Sequence, residues 1–407
     1  MEVVRIVGIV QPKRPTAQTK GHGLVTESRF LNATDRKPRK ATVESSPTGL
    51  LMVPQASTSL GADMLRALST YVKDYQEAYQ AGRRVLLPPL ENIDHVVLTG
   101  MGGSGISASL AAALAKDTSP RPITVVKDYH LPAFVNKRSL VVAISYSGNT
   151  EETLVTVAEA NDRRASIIGL SSGGALAAFC QKKKLPLYGL PKDRQPRAAL
   201  PFLLGGLGGM LDALGLGGFA LDPRDESSLQ YRQVQLQPRL AGADDAALRY
   251  ADQLRNARPV IVGDGHLFPV AVRWKCQLNE NAKMFARAEP VPEANHNDLV
   301  AWAEAPKTKQ DVIVLLRRPQ EPREIEARYE FLADVARKAK VPVIQCRAEA
   351  RTPLGQCLEH LLIGDYTSVY AAILRRVDPT PVEVIADLKA RLEKDGLAKE
   401  ARKRLGV

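Results

Sequence analysis

The sequence predicts an α/β protein of two similar domains, each a parallel β-sheet covered by helices on both faces. Three observations carry this. Short apolar runs rich in β-branched residues alternate with helical patterns, as βαβ units do. The runs are continuous rather than alternating, as in strands buried on both faces. The alternation occurs twice, in near-equal halves of a 407-residue chain, which is long enough for two domains.

In chain order, residues 1–58 stand apart. They hold nine Lys or Arg against four Asp or Glu, and "QPKRPTAQTKGHG" and "DRKPRKATVESSPTG" are polar and broken by Pro and Gly. Such a segment buries too little apolar surface to offset its ordering entropy, so it reads as a disordered basic extension. "SLGADMLRALSTYVKDYQEAYQAG", from Ser59, places Leu60, Met64, Leu65, Leu68, Tyr71, Val72 and Tyr75 on one face and reads as one helix ending at Gly82. Strands are expected at "HVVLTG", "ITVVKDY", "SLVVAIS", "ASIIGLS" and "LPLYGLP", with helices at "GISASLAAALAKD" and "EETLVTVAEANDRR" between them. A helical stretch spans Ala198 to Leu214, and "GLGGFALDPRDESS" reads as a linker. The first domain is therefore 59–222 and the second 223–407. The second contains strands at "PVIVGDG", "DVIVLLRR" and "VPVIQCRA" and helices at "IEARYEFLADVARKAK" and "LEHLLIGDYTSVYAAILRRV". The chain closes on "DPTPVEVIADLKARLEKDG", where Pro381 opens a helix.

Composition narrows the function. The net charge of +12 suits an anionic partner, but aromatics make up only 5% and no basic run is interleaved with them, which argues against nucleic acid. No apolar run reaches transmembrane length, and the N-terminus lacks a secretory h-region, so no membrane role and a cytoplasmic location are expected. Cys180, Cys276, Cys346 and Cys357 lack metal-ligand spacing and read as buried, reduced thiols. His22, His95, His130, His266 and His360 have no metal spacing either. Neither a metal nor a cofactor is expected.

Two glycine- and hydroxyl-rich stretches carry the chemistry. In "LTGMGGSGISASL", Leu98 to Leu110, a strand ends at Thr99 and a helix begins near Gly105. Glycines there let backbone N–H groups approach an anion, the helix N-terminus adds its dipole, and Ser104 adds a hydroxyl. No Lys-Ser or Lys-Thr follows, so it is not a P-loop. Gly100, Gly102 and Gly105 match G-x-G-x-x-G, with Asp128 near the end of the next strand, so a dinucleotide site stays open. A phosphate site for a smaller ligand and a ligand-free tight turn stay open too. In "VVAISYSGNTEETL", Val141 to Leu154, Ser145, Ser147, Asn149 and Thr150 surround Gly148 between another strand and helix. Thr150 can cap that helix, but capping needs one hydroxyl and three are present. Glu151 and Glu152 would repel an anion and must face away. Both loops lie at the carboxyl ends of parallel strands, where open α/β sheets bind ligands.

"GMGGSG" followed by "SYSGNTEET" resembles the sugar isomerase (SIS) domain, a flavodoxin-like three-layer sandwich that binds sugar phosphates through these loops. The resemblance demotes the dinucleotide reading. "QPRAALPFLLG" (195–205), "QLNENAK" (277–283), "EANHNDLVAW" (293–302) and the closing "DPTPVEVIADLKARL" resemble the bifunctional phosphoglucose/phosphomannose isomerases. The likeness covers roughly residues 60 to 395. It implies interconversion of glucose 6-phosphate, and mannose 6-phosphate, with fructose 6-phosphate through a cis-enediolate. That reaction needs a phosphate grip, a ring-opening group, a base for the carbon-bound proton and positive charge for the enediolate oxygen.

The resemblance assigns Gly103, Ser104, Ser145, Ser147 and Thr150 to the phosphate. It makes Glu280 the base, and a carboxylate in a sugar pocket that sheds water becomes a stronger base. His296 becomes the ring-opening acid/base, suited by titration near neutrality. In the family this histidine comes from the other subunit, which implies a homodimer. Arg197 becomes the enediolate stabiliser, since it stays charged without joining the proton traffic, and Lys389 assists ring opening from the C-terminal helix. The chain departs from the family at Ala294, where Leu is usual, and at 298–301, where Glu-Ile-Val-Gly is usual. It departs again at Val382, near the place of a threonine found in bifunctional members; Thr380 stands two residues earlier. These last residues bear on the mannose substrate.

Three other functions fit parts of this pattern. A sugar-phosphate-sensing regulator would need a DNA-binding helical domain, for which residues 1–58 lack the apolar period. The isomerase half of an amidotransferase would need an N-terminal nucleophilic Cys, and none precedes Cys180. Another aldose–ketose isomerase, such as one for heptoses, is usually single-domain.

Overall fold

The computed structural model describes residues 60–192, 194–238, 245–304 and 310–407, all within the compact unit Ser45–Val407. The basic extension 1–58 lies outside the described residues. The first sheet contains β1 (His95–Thr99), β2 (Ile123–Val126), β3 (Ser139–Ile144), β4 (Ser166–Ser171) and β5 (Leu187–Gly189) in the order β2-β1-β3-β4-β5. The second contains β6 (Arg258–Asp264), β7 (Arg287–Val291), β8 (Asp311–Arg317) and β9 (Val343–Arg347) in the order β7-β6-β8-β9. Every pairing is parallel. The two sheets thus repeat one doubly wound topology, and each changes winding direction between its first and third strands, where such sheets bind ligands.

The helices of the first half are α1 (Ala62–Leu68), α2 (Tyr71–Arg83), α3 (Gly102–Ala115), α4 (Glu151–Asp162), α5 (Gly174–Lys183) and α6 (Leu200–Ala213). Those of the second are α7 (Pro223–Gln235), α8 (Ala246–Leu254), α9 (Phe268–Glu280), α10 (Asp298–Glu304), α11 (Arg323–Lys338), α12 (Pro353–Arg375), α13 (Glu383–Asp395) and α14 (Leu397–Leu405). Strand residues alternate between cores, as their two-residue period requires. Val96 and Leu98 of β1 and Val314 and Leu316 of β8 join one shared core with α2, α6, α9 and α12. Val97 and Val141 face outward onto α4 and α5. Val262, Ile313 and Leu315 face α11. Helix α12 is buried almost throughout, so the shared core runs from one sheet to the other without a break.

Five expectations need correction. The first helix is two, because Ser69 Oγ donates to the Arg66 carbonyl (2.8 Å) and Thr70 Oγ1 to Asp74 (2.8 Å). These hydroxyls compete with the helical ladder, and Gln233 of α7 satisfies the break by accepting from Val72 N–H (3.0 Å) and donating to the Ser69 carbonyl (2.6 Å). Part of the expected linker is helical: Asp222 caps α7 by accepting from Arg224 N–H (2.8 Å), and Pro223 occupies the first helical position. Helix α3 begins at Gly102 rather than near Gly105. Strand β7 was not expected, since "RAEPV" has no apolar run; it is a sheet edge, where Pro290 is tolerated. The C-terminal helix starts at Glu383 and is followed by α14, whose Ala401 and Leu405 bury against the outer core of the first sheet.

Candidate functional site

The crevice between β1 and β3 is lined by the two loops singled out above. Strand register places Thr99 opposite Ala143, so the loops leave the sheet at nearly the same level. They are tied together: Ser104, 6% exposed, accepts from the Tyr146 N–H (3.3 Å). Ser145 Oγ accepts from Gly148 N–H (3.1 Å) and shares a hydrogen bond with Thr150 Oγ1 (2.9 Å). Thr150 stands at the N-cap of α4, but its hydroxyl turns to Ser145 instead of capping the helix. Ser147 is exposed, and its Oγ accepts from Asn149 N–H (3.2 Å). Gly148 is required here: its φ is +69°, and a Cβ would lie 1.8 Å from the Gly173 carbonyl oxygen. Glu151 is buried, and its carboxylate accepts from Tyr129 OH (2.8 Å) and Ala398 N–H (3.2 Å), so it is engaged by Tyr129 and α14. Two helix N-termini and a cluster of hydroxyls thus meet without a neutralising carboxylate from Glu151, which suits an anion.

Arg197 lies in a short 3-10 helix, Pro196–Ala198, against the glycine loop; a Cβ at Gly103 would be 3.4 Å from the Pro196 carbonyl oxygen. Instead of a solvated surface arginine it is 7% exposed. Nε donates to Asn281 Oδ1 (2.8 Å), and Nη2 donates to the carbonyls of Pro379 (2.5 Å) and Thr380 (2.6 Å). Burial pulls its guanidinium below the ordinary value, and the carboxylate of Glu280 is the main opposing influence. Glu280 is the last residue of α9 and is half-buried. Its carbonyl accepts from Lys283 Nζ (2.6 Å), which also donates to the Pro381 carbonyl (2.9 Å). The structure therefore brings the glycine loop, Arg197 and the end of α9 together.

His296 and Lys389 are placed differently. His296 follows the short 3-10 helix Glu293–Asn295 beyond β7 and is exposed, with its N–H donating to the Glu293 carbonyl (2.8 Å). Lys389 is exposed on α13, a helix with no buried residue although it carries Val384 and Leu388. Among the described residues neither side chain is hydrogen-bonded to the Arg197 cluster.

At the corresponding place in the second sheet the arginines at the end of β8 are paired with carboxylates. Arg318 Nη2 donates to Asp264 Oδ2 (2.8 Å), and Arg317 is held by Glu321 and Glu330. Among the described residues no group of three or more His, Cys, Asp or Glu could hold a metal. Sequence reasoning missed Asn281, Arg273, Asp365 and Lys127. Lys127 follows β2 beside the glycine loop, where a Cβ at Gly105 would be 3.1 Å from its Cε; burial pushes its ammonium below the ordinary value. Its signal was a cation at the carboxyl end of the strand next to that loop.

Comparison with known proteins fits this geometry. Residues 90–183 match the SIS domain family, and residues 243–392 match the family described as bacterial phospho-glucose isomerase C-terminal SIS domain. The chain is 33% identical to a bifunctional phosphoglucose/phosphomannose isomerase of Caldicellulosiruptor bescii, over 81% of this chain and 98% of that one. It is 32% identical to the protein of the same name from Aquifex aeolicus, over 74% and 90%. Among solved structures, a hypothetical protein from Thermus thermophilus superposes with a TM-score of 0.65 at 18% identity, covering 84% of this chain and 94% of that one. That likeness supports the fold.

Proposed function

We infer that this chain, which belongs to the bifunctional phosphoglucose/phosphomannose isomerase family, converts glucose 6-phosphate and mannose 6-phosphate to fructose 6-phosphate and back. It is an aldose–ketose isomerase. The observation that carries the assignment of residues is the position of Arg197, pressed against the glycine loop on one side and bonded to Asn281, next to Glu280, on the other. The phosphate binds the loop residues Gly103, Ser104, Ser145, Ser147 and Thr150. The Glu280 carboxylate takes the C2 proton of the open aldose and returns it to C1, while the hydroxyl proton on O2 passes to O1 within the cis-enediolate. Arg197 stabilises the enediolate oxygen, while His296 of a second subunit and Lys389 serve ring opening. The two aldoses differ only at C2 and share one cis-enediolate, but their C2 hydrogens lie on its opposite faces, so for Glu280 to serve both the C1–C2 unit must turn over about the C2–C3 bond. A coupled assay on the purified chain should read fructose 6-phosphate from either sugar, and no product from either would overturn the reading.

Ser147→Ala and Thr150→Ala should raise KM more than they lower kcat, because the phosphate is held equally before and during reaction. Each lost donor should cost about 1.5–3 kcal/mol. Unchanged KM in both variants would remove the loop from the site.

The exposure of His296 and of the apolar residues on α13 supports a homodimer with the histidine acting in trans. Glu280→Gln and His296→Ala homodimers should each be nearly inactive. Refolded together they form hybrids with one intact site, so roughly a quarter of wild-type activity should return. No recovery on co-refolding, or an active monomer in light scattering, would exclude the trans arrangement. No described helix is long and apolar enough to cross a membrane, and the free thiols fit the cytoplasm.

A further inference from the structure

A guanidinium has five N–H groups, and three of those on Arg197 are committed within the protein. Nε–H goes to Asn281, and the two on Nη2 go to the Pro379 and Thr380 carbonyls. Both edges with which an arginine grips an oxyanion in two-pronged fashion run through Nη2. Neither edge is available, so Nη1 alone can be offered to a ligand. Arg197 is built to meet one oxygen rather than to clamp a phosphate.

Asn281 sets this orientation. It is fully buried, and its amide is locked at both ends. Ser368 Oγ donates its hydrogen to the Asp365 carbonyl (2.7 Å), so its oxygen accepts from Asn281 Nδ2 (2.9 Å). That leaves Oδ1 as the acceptor for Arg197, and the amide cannot flip without breaking both bonds. The backbone of Arg197 is held from the same helix pair: Arg273 Nη2 donates to its carbonyl (2.5 Å) while the Arg273 guanidinium is gripped by Asp365. Helix α12 therefore acts through α9 on both ends of one arginine.

We propose that Asn281 is a positioning residue for the isomerisation. It fixes the plane of Arg197 so that Nη1 alone faces the enediolate oxygen, and it keeps the arginine from a two-pronged hold on the 6-phosphate. The proposal rests on the role given to Arg197 above.

The test is a double-mutant cycle on the full chain with glucose 6-phosphate as substrate. Asn281→Ala should lower kcat roughly 100-fold, the scale of a misplaced catalytic group, with KM within about threefold of wild type. In an Arg197→Lys background, where no guanidinium is left to orient, the same change should lower kcat by less than about threefold. An equal loss in both backgrounds, or a near-normal kcat for Asn281→Ala, would overturn the proposal. Arg197→Lys with wild-type kcat would instead overturn the role of Arg197 itself and with it this inference. Should Asn281→Ala fail to fold, Ser368→Ala takes its place. Freed from Ser368, the amide should lose its orientation, and kcat should fall roughly tenfold with KM unchanged and with no further fall in the lysine background. Full kcat in Ser368→Ala would overturn the proposal.

Discussion

Glu280→Gln should abolish isomerisation while leaving binding of the sugar phosphate nearly intact. The amide keeps the size and hydrogen-bonding shape of the carboxylate but cannot accept the C2 proton, so the loss falls on kcat. A positioned base is worth roughly 100- to 10,000-fold, and kcat should drop by at least the middle of that range while KM changes little. In the proposed site the phosphate is held by the loops after β1 and β3 and not by Glu280, so glucose 6-phosphate should still raise the melting temperature of the variant. In deuterated solvent the wild type should exchange the C2 hydrogen of glucose 6-phosphate, because a proton held on a half-buried carboxylate is shared with the medium. Near-normal turnover in Glu280→Gln would place the base elsewhere. Turnover without any exchange in the wild type would favour a fully shielded proton or a hydride shift over an open enediolate.

The parts of this architecture that were legible in the sequence are those written in contiguous residues. "SLVVAI" is buried at every position, and such a run has no other comfortable place than a central parallel strand. The two glycine- and hydroxyl-rich loops were legible because each packs its glycines and hydroxyls into a few positions at a strand end. What was missed depends on residues far apart in the chain. The break between α1 and α2 is completed by Gln233, and no local pattern around Ser69 announces a partner in α7. Strand β7 is an edge strand with one fully buried residue, so it lacks the apolar signal that marks the others. In the same way "NENAK" reads as too polar for a core face, yet Asn281 within it is fully buried because Arg197 and Ser368 satisfy its amide. A buried polar residue is recognisable only once its partners are known. His296 and Lys389 rested on resemblance, and their exposure is the feature the sequence alone could not supply.

Asp365→Ala should be among the most destabilising single changes in the chain. Asp365 and Arg273 are 1% and 2% exposed, and their pair is two-pronged, at 3.0 and 2.9 Å. Burial raises the Asp365 carboxyl above its ordinary value, and Arg273, together with a hydrogen bond from Gln277, opposes that. Removing the carboxylate leaves a buried guanidinium without a counter-charge, which costs about 3–5 kcal/mol. The loss should appear as a lower urea midpoint for the ligand-free protein. Replacing both partners, Arg273→Met with Asp365→Leu, should cost less than Asp365→Ala alone, because no orphaned charge remains. Stability and catalysis then separate. The double variant regains much of the midpoint, but it has lost the donor that held the Arg197 carbonyl, so its kcat should stay low. A midpoint for Asp365→Ala close to wild type would mean that water reaches Arg273, and the clamp on Arg197 would then be weaker than its geometry implies. A double variant with normal kcat would show that Asn281 and the carbonyls of Pro379 and Thr380 suffice to hold the arginine without Arg273.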